Sequence, residues 1–187
     1  MNRPDTQRGT STLRVWDIGV RLFHWTLVSG MAVAWISSSS RSEVHQWIGL
    51  GVGALVMSRI VWGFAGTRYA RFQNFINGPV LILRYLGAIL RGRETRYLGH
   101  NPAGGAMVLA LITAILLTVL TGWLMTTDSF YGDDAMQLTH SVFAYGVVGL
   151  VALHLAGVVL ASVRHKENLV RAMVTGLKRA PAPDDVA

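Results

Sequence analysis

The sequence predicts an all-α integral membrane protein: a four-helix bundle with an additional amphipathic helix on its cytoplasmic side. Three observations carry this. Apolar residues make up 51% of the chain, and they fall in four blocks near twenty residues long. At about 1.5 Å of rise per residue, each block can cross a hydrocarbon layer of ~30 Å. The link between the first and second blocks, Ser37 to Ser42, is short, which makes those neighbours antiparallel. Arginine and lysine gather in the N-terminal stretch, the middle connection and the C-terminal stretch, the pattern of a positive-inside topology.

The expected division is an N-terminal tail at 1–13, a four-span domain at 14–164 with spans at about 19–38, 44–64, 104–126 and 138–163, and a basic cytoplasmic tail at 165–187. The first block holds Leu22-Phe23-His24-Trp25 and ends before Ser37 to Ser40. A signal peptide would share its basic flank, but has no use for Arg21, His24 and two tryptophans, and more spans follow. The second block runs from Val44 to Phe64, with His45 near its start and Arg59 near its end. In the long connection Pro79 to Arg91 reads as a helix, since proline suits a first helical turn. It is too short to span and carries arginine, so an interfacial position is preferred over a re-entrant one. The third block, from Ala106, is uncharged and rich in small residues suited to close packing. A polar turn with Asp128, Asp133 and Asp134 leads into the fourth. Both termini and the middle connection are expected in the cytoplasm, and the chain in a bacterial inner membrane.

The net charge is +7, but the arginines lie between apolar blocks rather than on one soluble face, which argues against nucleic acid. With no cysteine, thiolate metal sites, iron–sulfur clusters, disulfides and covalently attached haem are excluded.

Histidines carry the chemistry. His140 and His154 are fourteen residues apart, so one helix places them roughly 21 Å apart and about 40° apart in azimuth. In the expected topology His45 begins its span at the depth of His140, while His24 lies about one turn inside the opposite boundary, at the depth of His154. Each pair comes from two helices and can face a common interior. A lone histidine near a helix end is ordinarily an interfacial polar residue; two depth-matched pairs ask for a shared ligand. Structural zinc wants four protein ligands and each level offers two. Haem iron wants two axial ligands, because the macrocycle supplies the rest. His165, in Arg164-His165-Lys166, reads as solvated, and His100 as a turn or cap residue, with a propionate contact or a quinone proton as alternatives. Propionate partners are expected at Arg59 and Arg21 on the cytoplasmic side and at Arg41 and Ser42 outside, each equally readable as a topology-setting or interfacial polar residue. Trp25, Trp47 and Trp62 suit an interfacial belt or haem-edge packing. The acidic outer loop suits solvent or a basic soluble partner such as a c-type cytochrome.

Arg21-Leu22-Phe23-His24-Trp25, His45-Gln46-Trp47-Ile48-Gly49, Arg59-Ile60-Val61-Trp62-Gly63-Phe64, Tyr97-Leu98-Gly99-His100-Asn101-Pro102 and the His140/His154 spacing occur in an order that resembles the bacterial cytochrome b561 family, including the b-type subunits of nickel–iron hydrogenases. The resemblance implies two non-covalent b-type haems, each with two axial histidines: His24 with His154, and His45 with His140. It also implies a di-haem electron-transfer protein in the respiratory chain that exchanges electrons with a membrane quinone and a periplasmic c-type cytochrome or other soluble redox subunit. No residue is read as catalytic, and a quinone-linked oxidoreductase activity stays open. Two alternatives stand beside it: a haem-containing membrane anchor for a soluble oxidoreductase, and a metal carrier or transporter using paired histidines, which would be expected to show inverted repeats.

Overall fold

A computed structural model of the chain describes residues 12–40, 43–67 and 69–186. In order these form strand β1 (Thr12–Arg14), helix α1 (Ile18–Ile36), a 3-10 turn (Ser37–Ser40), α2 (Glu43–Ala65), a 3-10 turn (Phe72–Asn74), α3 (Pro79–Leu90), α4 (Pro102–Leu124), α5 (Asp134–Arg164), α6 (Leu169–Thr175) and strand β2 (Leu177–Arg179).

The helix starts follow from side-chain caps. Asp17 accepts from the Val20 N–H at 2.9 Å to open α1, Asn101 from the Gly104 N–H at 2.7 Å to open α4, and Asp133 from the Met136 N–H at 2.7 Å to open α5. The Asp133 cap starts α5 earlier than the expected span, because the aspartate turn donates its last residues to the helix. Among the described residues three helices, α2, α4 and α5, are long and apolar enough to cross a membrane. The shorter α1 carries Arg21 and His24 in its first two turns, which dilutes its hydropathy. The twelve-residue α3 begins with Pro79 after a Gly78 cap and buries Tyr85.

One core joins the long helices. Val52 and Val56 of α2, Ile115 of α4 and Val147 of α5 are buried together, with Leu27 and Met31 of α1 packed against them. Around it the long helices expose leucine, valine and tryptophan to their surroundings, for example Trp47, Trp62, Trp123, Leu153 and Val163, as a bundle solvated by lipid does.

The two ends of the chain are built differently from the tails expected at 1–13 and 165–187. Residues 1–11 lie outside the described residues. Thr12 to Arg14, however, pair antiparallel with Leu177 to Arg179. The C-terminal stretch is therefore a folded cap rather than a solvated tail. Asn168 caps α6, Gly176 closes it in the left-handed conformation at φ 82°, and Ala172 packs with Val15, Trp16, Val20 and Ala70. Arg96 is buried and donates to both oxygens of Glu167, to the Asp185 carboxylate and to the Arg179 carbonyl. These charges are satisfied by partners far along the chain, which nothing local in the sequence marks.

Candidate functional site

His45 lies in the first turn of α2 and His140 in the second turn of α5, so both sit at the same end of the bundle. Their ring centroids are 6.2 Å apart and their planes cross at 87°. His45 Nδ1 lies 2.8 Å from the Ala34 carbonyl in the last turn of α1. His140 Nδ1 lies 3.0 Å from the Thr118 carbonyl and 3.2 Å from the Thr121 hydroxyl on α4. Carbonyls accept, so both rings carry their proton on Nδ1, the tautomer whose Nε2 has the lone pair that a metal bond uses. A Cβ at Gly122 would come within 3.0 Å of the His140 ring, so a larger residue there would press that ring a few tenths of an ångström away from α4.

A metal bond of about 2 Å from each Nε2, with each ring centre roughly 1 Å behind its nitrogen, predicts centroids about 6 Å apart. The observed centroid separation agrees with that distance. Among the described residues no group of three or more His, Asp or Glu side chains could hold a metal ion. The donor set suits an ion whose remaining ligands come from a cofactor.

Fourteen residues along α5 from His140 lies His154, and the first half of α1 carries His24. The valine-rich core around Val56 and Val147 lies between the two levels. Four buried side-chain nitrogens lack a hydrogen-bond partner among the described residues: Arg21 Nε, His24 Nδ1, Arg59 Nη1 and His100 Nδ1. Arg59 is only 5% exposed; its Nη2 donates to the Ala70 carbonyl at 2.9 Å and its guanidinium lies 5.1 Å from the Phe72 ring centre. Unpaired buried donors are costly, and both arginines here would be satisfied by carboxylates, the groups a haem presents at its edge.

His100 packs edge-on against Trp16 at 4.9 Å and tilted against Phe75 at 4.6 Å. Burial, reinforced by the charges of Arg59, Lys178 and His154, pushes it down to about 3, so it is neutral at physiological pH. The expected cap role belongs instead to its neighbour Asn101. Sequence reasoning missed the position of His100 beside Arg59 because Trp16 and Phe75, which seat it, come from two other segments. It also missed Lys178, only 6% exposed, which donates to the Leu98 carbonyl at 2.8 Å. Of the expected propionate partners, Arg59 and Arg21 have unsatisfied donors at the His24 end, whereas Arg41 and Ser42 lie outside the described residues.

A family model described as prokaryotic cytochrome b561 matches residues 15–176. No curated protein and no solved structure gives a match. The matched stretch begins at Val15 in the buried N-terminal segment, takes in all five longer helices and ends at the Gly176 that closes α6. A likeness of that extent is not one of a shared short motif: the chain belongs to the prokaryotic cytochrome b561 family, helical membrane proteins that bind b-type haem and transfer electrons.

Proposed function

We propose that this protein is a transmembrane electron conduit holding two b-type haems, one between His45 and His140 and one between His24 and His154. The observation that carries the reading is the His45–His140 pair: 6.2 Å between centroids, with each Nδ1 committed to a backbone carbonyl. Haem, when bound, supplies a one-electron iron couple inside an apolar interior. The four imidazoles would fill both axial positions at each level, leaving no coordination site for oxygen or substrate. Ala34 and Thr118 fix the ring tautomers at one level, while Arg59 and Arg21 receive propionates at the other. The apolar core between them keeps water out of the path.

The basic connections support a topology with both termini and the 66–101 stretch in the cytoplasm, the chain in the bacterial inner membrane and α1 as the fourth span. Arg21 and His24 fit that assignment, since their polar groups lie in the first two turns, near the cytoplasmic boundary. The His24/His154 level is then cytoplasmic and the His45/His140 level outer. α3 lies along the cytoplasmic interface, with Val80, Leu83 and Leu90 turned outward. At the outer end, Glu43, Asp128 and Asp134 favour a basic soluble donor or acceptor such as a c-type cytochrome. Electrons exchange with the membrane quinone pool in this reading, which rests on the family resemblance. The folded cap of β1, β2 and α6 favours one second reading, a haem-containing anchor that seats a soluble oxidoreductase on its cytoplasmic face.

The test is a dithionite-reduced minus oxidised spectrum of the purified full-length chain with haem quantified per polypeptide. Two b-type haems are expected, falling to one in His140→Ala and to one in His154→Ala. A chain without b-type absorption overturns the proposal. Reduction by a quinol analogue or a c-type cytochrome separates conduit from anchor.

A further inference from the structure

The two imidazoles at the outer level are held by different helices. His45 is tied to α1 through Ala34 and His140 to α4 through Thr118 and Thr121. A ring held by one hydrogen bond can still turn about it. His140 has two acceptors, and the second is unusual in being a side chain. Thr121, 6% exposed, donates its hydroxyl to the Leu117 carbonyl at 2.8 Å, with the Thr118 carbonyl at 3.0 Å. Its oxygen lone pair is thereby turned toward His140 Nδ1 at 3.2 Å. The Nδ1–H is shared between a carbonyl and a hydroxyl one turn apart, while Gly122 lets the ring lie against the helix.

We propose that Thr121 is a positioning residue that fixes the plane of the His140 ring, and so keeps the two axial imidazoles of the outer haem crossed. This rests on the paired ligation proposed above. Imidazole π orbitals split the iron d orbitals they overlap. Parallel rings act on the same orbital and separate the two, whereas rings crossed at 87° act on one each and leave them nearly equal. Ferric low-spin iron in that field has a strongly anisotropic magnetic response, with its first resonance at extreme low field. The hydroxyl of Thr121 therefore controls an electronic property of an iron that it does not touch.

The experiment is electron paramagnetic resonance of the oxidised full-length protein, with haem counted in the same samples, for wild type, His140→Ala, Thr121→Val and Thr121→Ser. The expected result is an extreme low-field signal in wild type that vanishes in His140→Ala. It should move toward the ordinary low-spin position in Thr121→Val, which keeps the shape and loses the hydroxyl, and return in Thr121→Ser. Loss of the outer haem in Thr121→Val with retention in Thr121→Ser also supports the assignment. An unchanged signal in Thr121→Val, a serine variant that behaves like valine, or a wild type with two haems and no extreme low-field signal overturns it while leaving the paired ligation standing. A wild type that binds no haem, or a His140→Ala variant that keeps both, sinks the ligation and this inference together.

Discussion

Arg59 donates from Nη2 to the carbonyl of Ala70 at 2.9 Å while its Nη1 is buried without a partner. One half of the guanidinium is thus spent on holding the connection after α2, and the other half is offered inward. Arg59→Gln removes the charge and the second donor. A charge-assisted hydrogen bond is worth about 1.5–3 kcal/mol, so the haem proposed between His24 and His154 should bind roughly 10- to 150-fold more weakly, read as haem loss on titration with an apo-protein scavenger. Arg59→Lys should not restore it, because an ammonium cannot serve two directions from one plane. Equal haem retention in all three proteins would remove Arg59 from the site.

Gly63 permits the packing that seats Arg59. A Cβ there would lie 2.2 Å from the Phe72 ring, whose face Arg59 covers. Gly63→Ala must displace Phe72, at an expected cost of about 1–3 kcal/mol. A thermal unfolding series should show the loss, and Phe72→Leu in the same chain should recover part of it. Additive effects would mean that the two residues are not coupled.

Arg96 neutralises two buried carboxylates. Arg96→Met leaves Glu167 and Asp185 without their guanidinium, a loss on the order of 3–5 kcal/mol for a broken buried pair. The C-terminal cap should open while the helices stay folded. Limited proteolysis should then cut the variant after α5 and spare the wild type; equal resistance would show that the cap is held by its apolar contacts alone.

The same cap should respond to pH in a defined direction. Burial pushes Glu167 up, but hydrogen bonds from Arg96 and the Arg179 N–H, with the charges of Lys178 and Arg96, more than offset this and hold it below its usual range. Asp185 is lowered likewise: burial opposes, and the Ala182 N–H and Arg96 prevail. A lowered carboxylate stabilises the fold above its ordinary value and loses that contribution as pH falls through the lowered one. Lys178 is pushed down to about 8 by burial, against the pull of Glu167. Below that value both states hold the proton; above it the unfolded chain holds more, so stability rises. Hydrogen exchange in residues 177–186, corrected for intrinsic rate, should show protection that is weakest in acid, level near neutrality and greater above about pH 8. Protection that falls above pH 8 would contradict the placement of Lys178.

The helical frame was legible because apolar blocks and a constant rise per residue fix length and level together. That is enough to set His45 beside His140. The last span began early because Asp133 could be read as a solvated loop residue as easily as a cap. The cap was not legible: its ion pairs join residues 71 and 89 positions apart, and nothing local marks Arg96 or Lys178 as buried. His100 was legible only as a turn, since its seat is assembled from Trp16 and Phe75.

The pairing of Thr12–Arg14 with Leu177–Arg179 has a consequence for how the protein is made. Thr12–Arg14 leave the ribosome before all of α1 to α6, and Leu177–Arg179 only after them, so this seam closes only once α6 has been made. A chain stopped after α5 would carry all four paired histidines and still leave β1 with an unsatisfied edge. The passage of α6 is thereby written into the tertiary structure, as a latch that a shorter product cannot fasten.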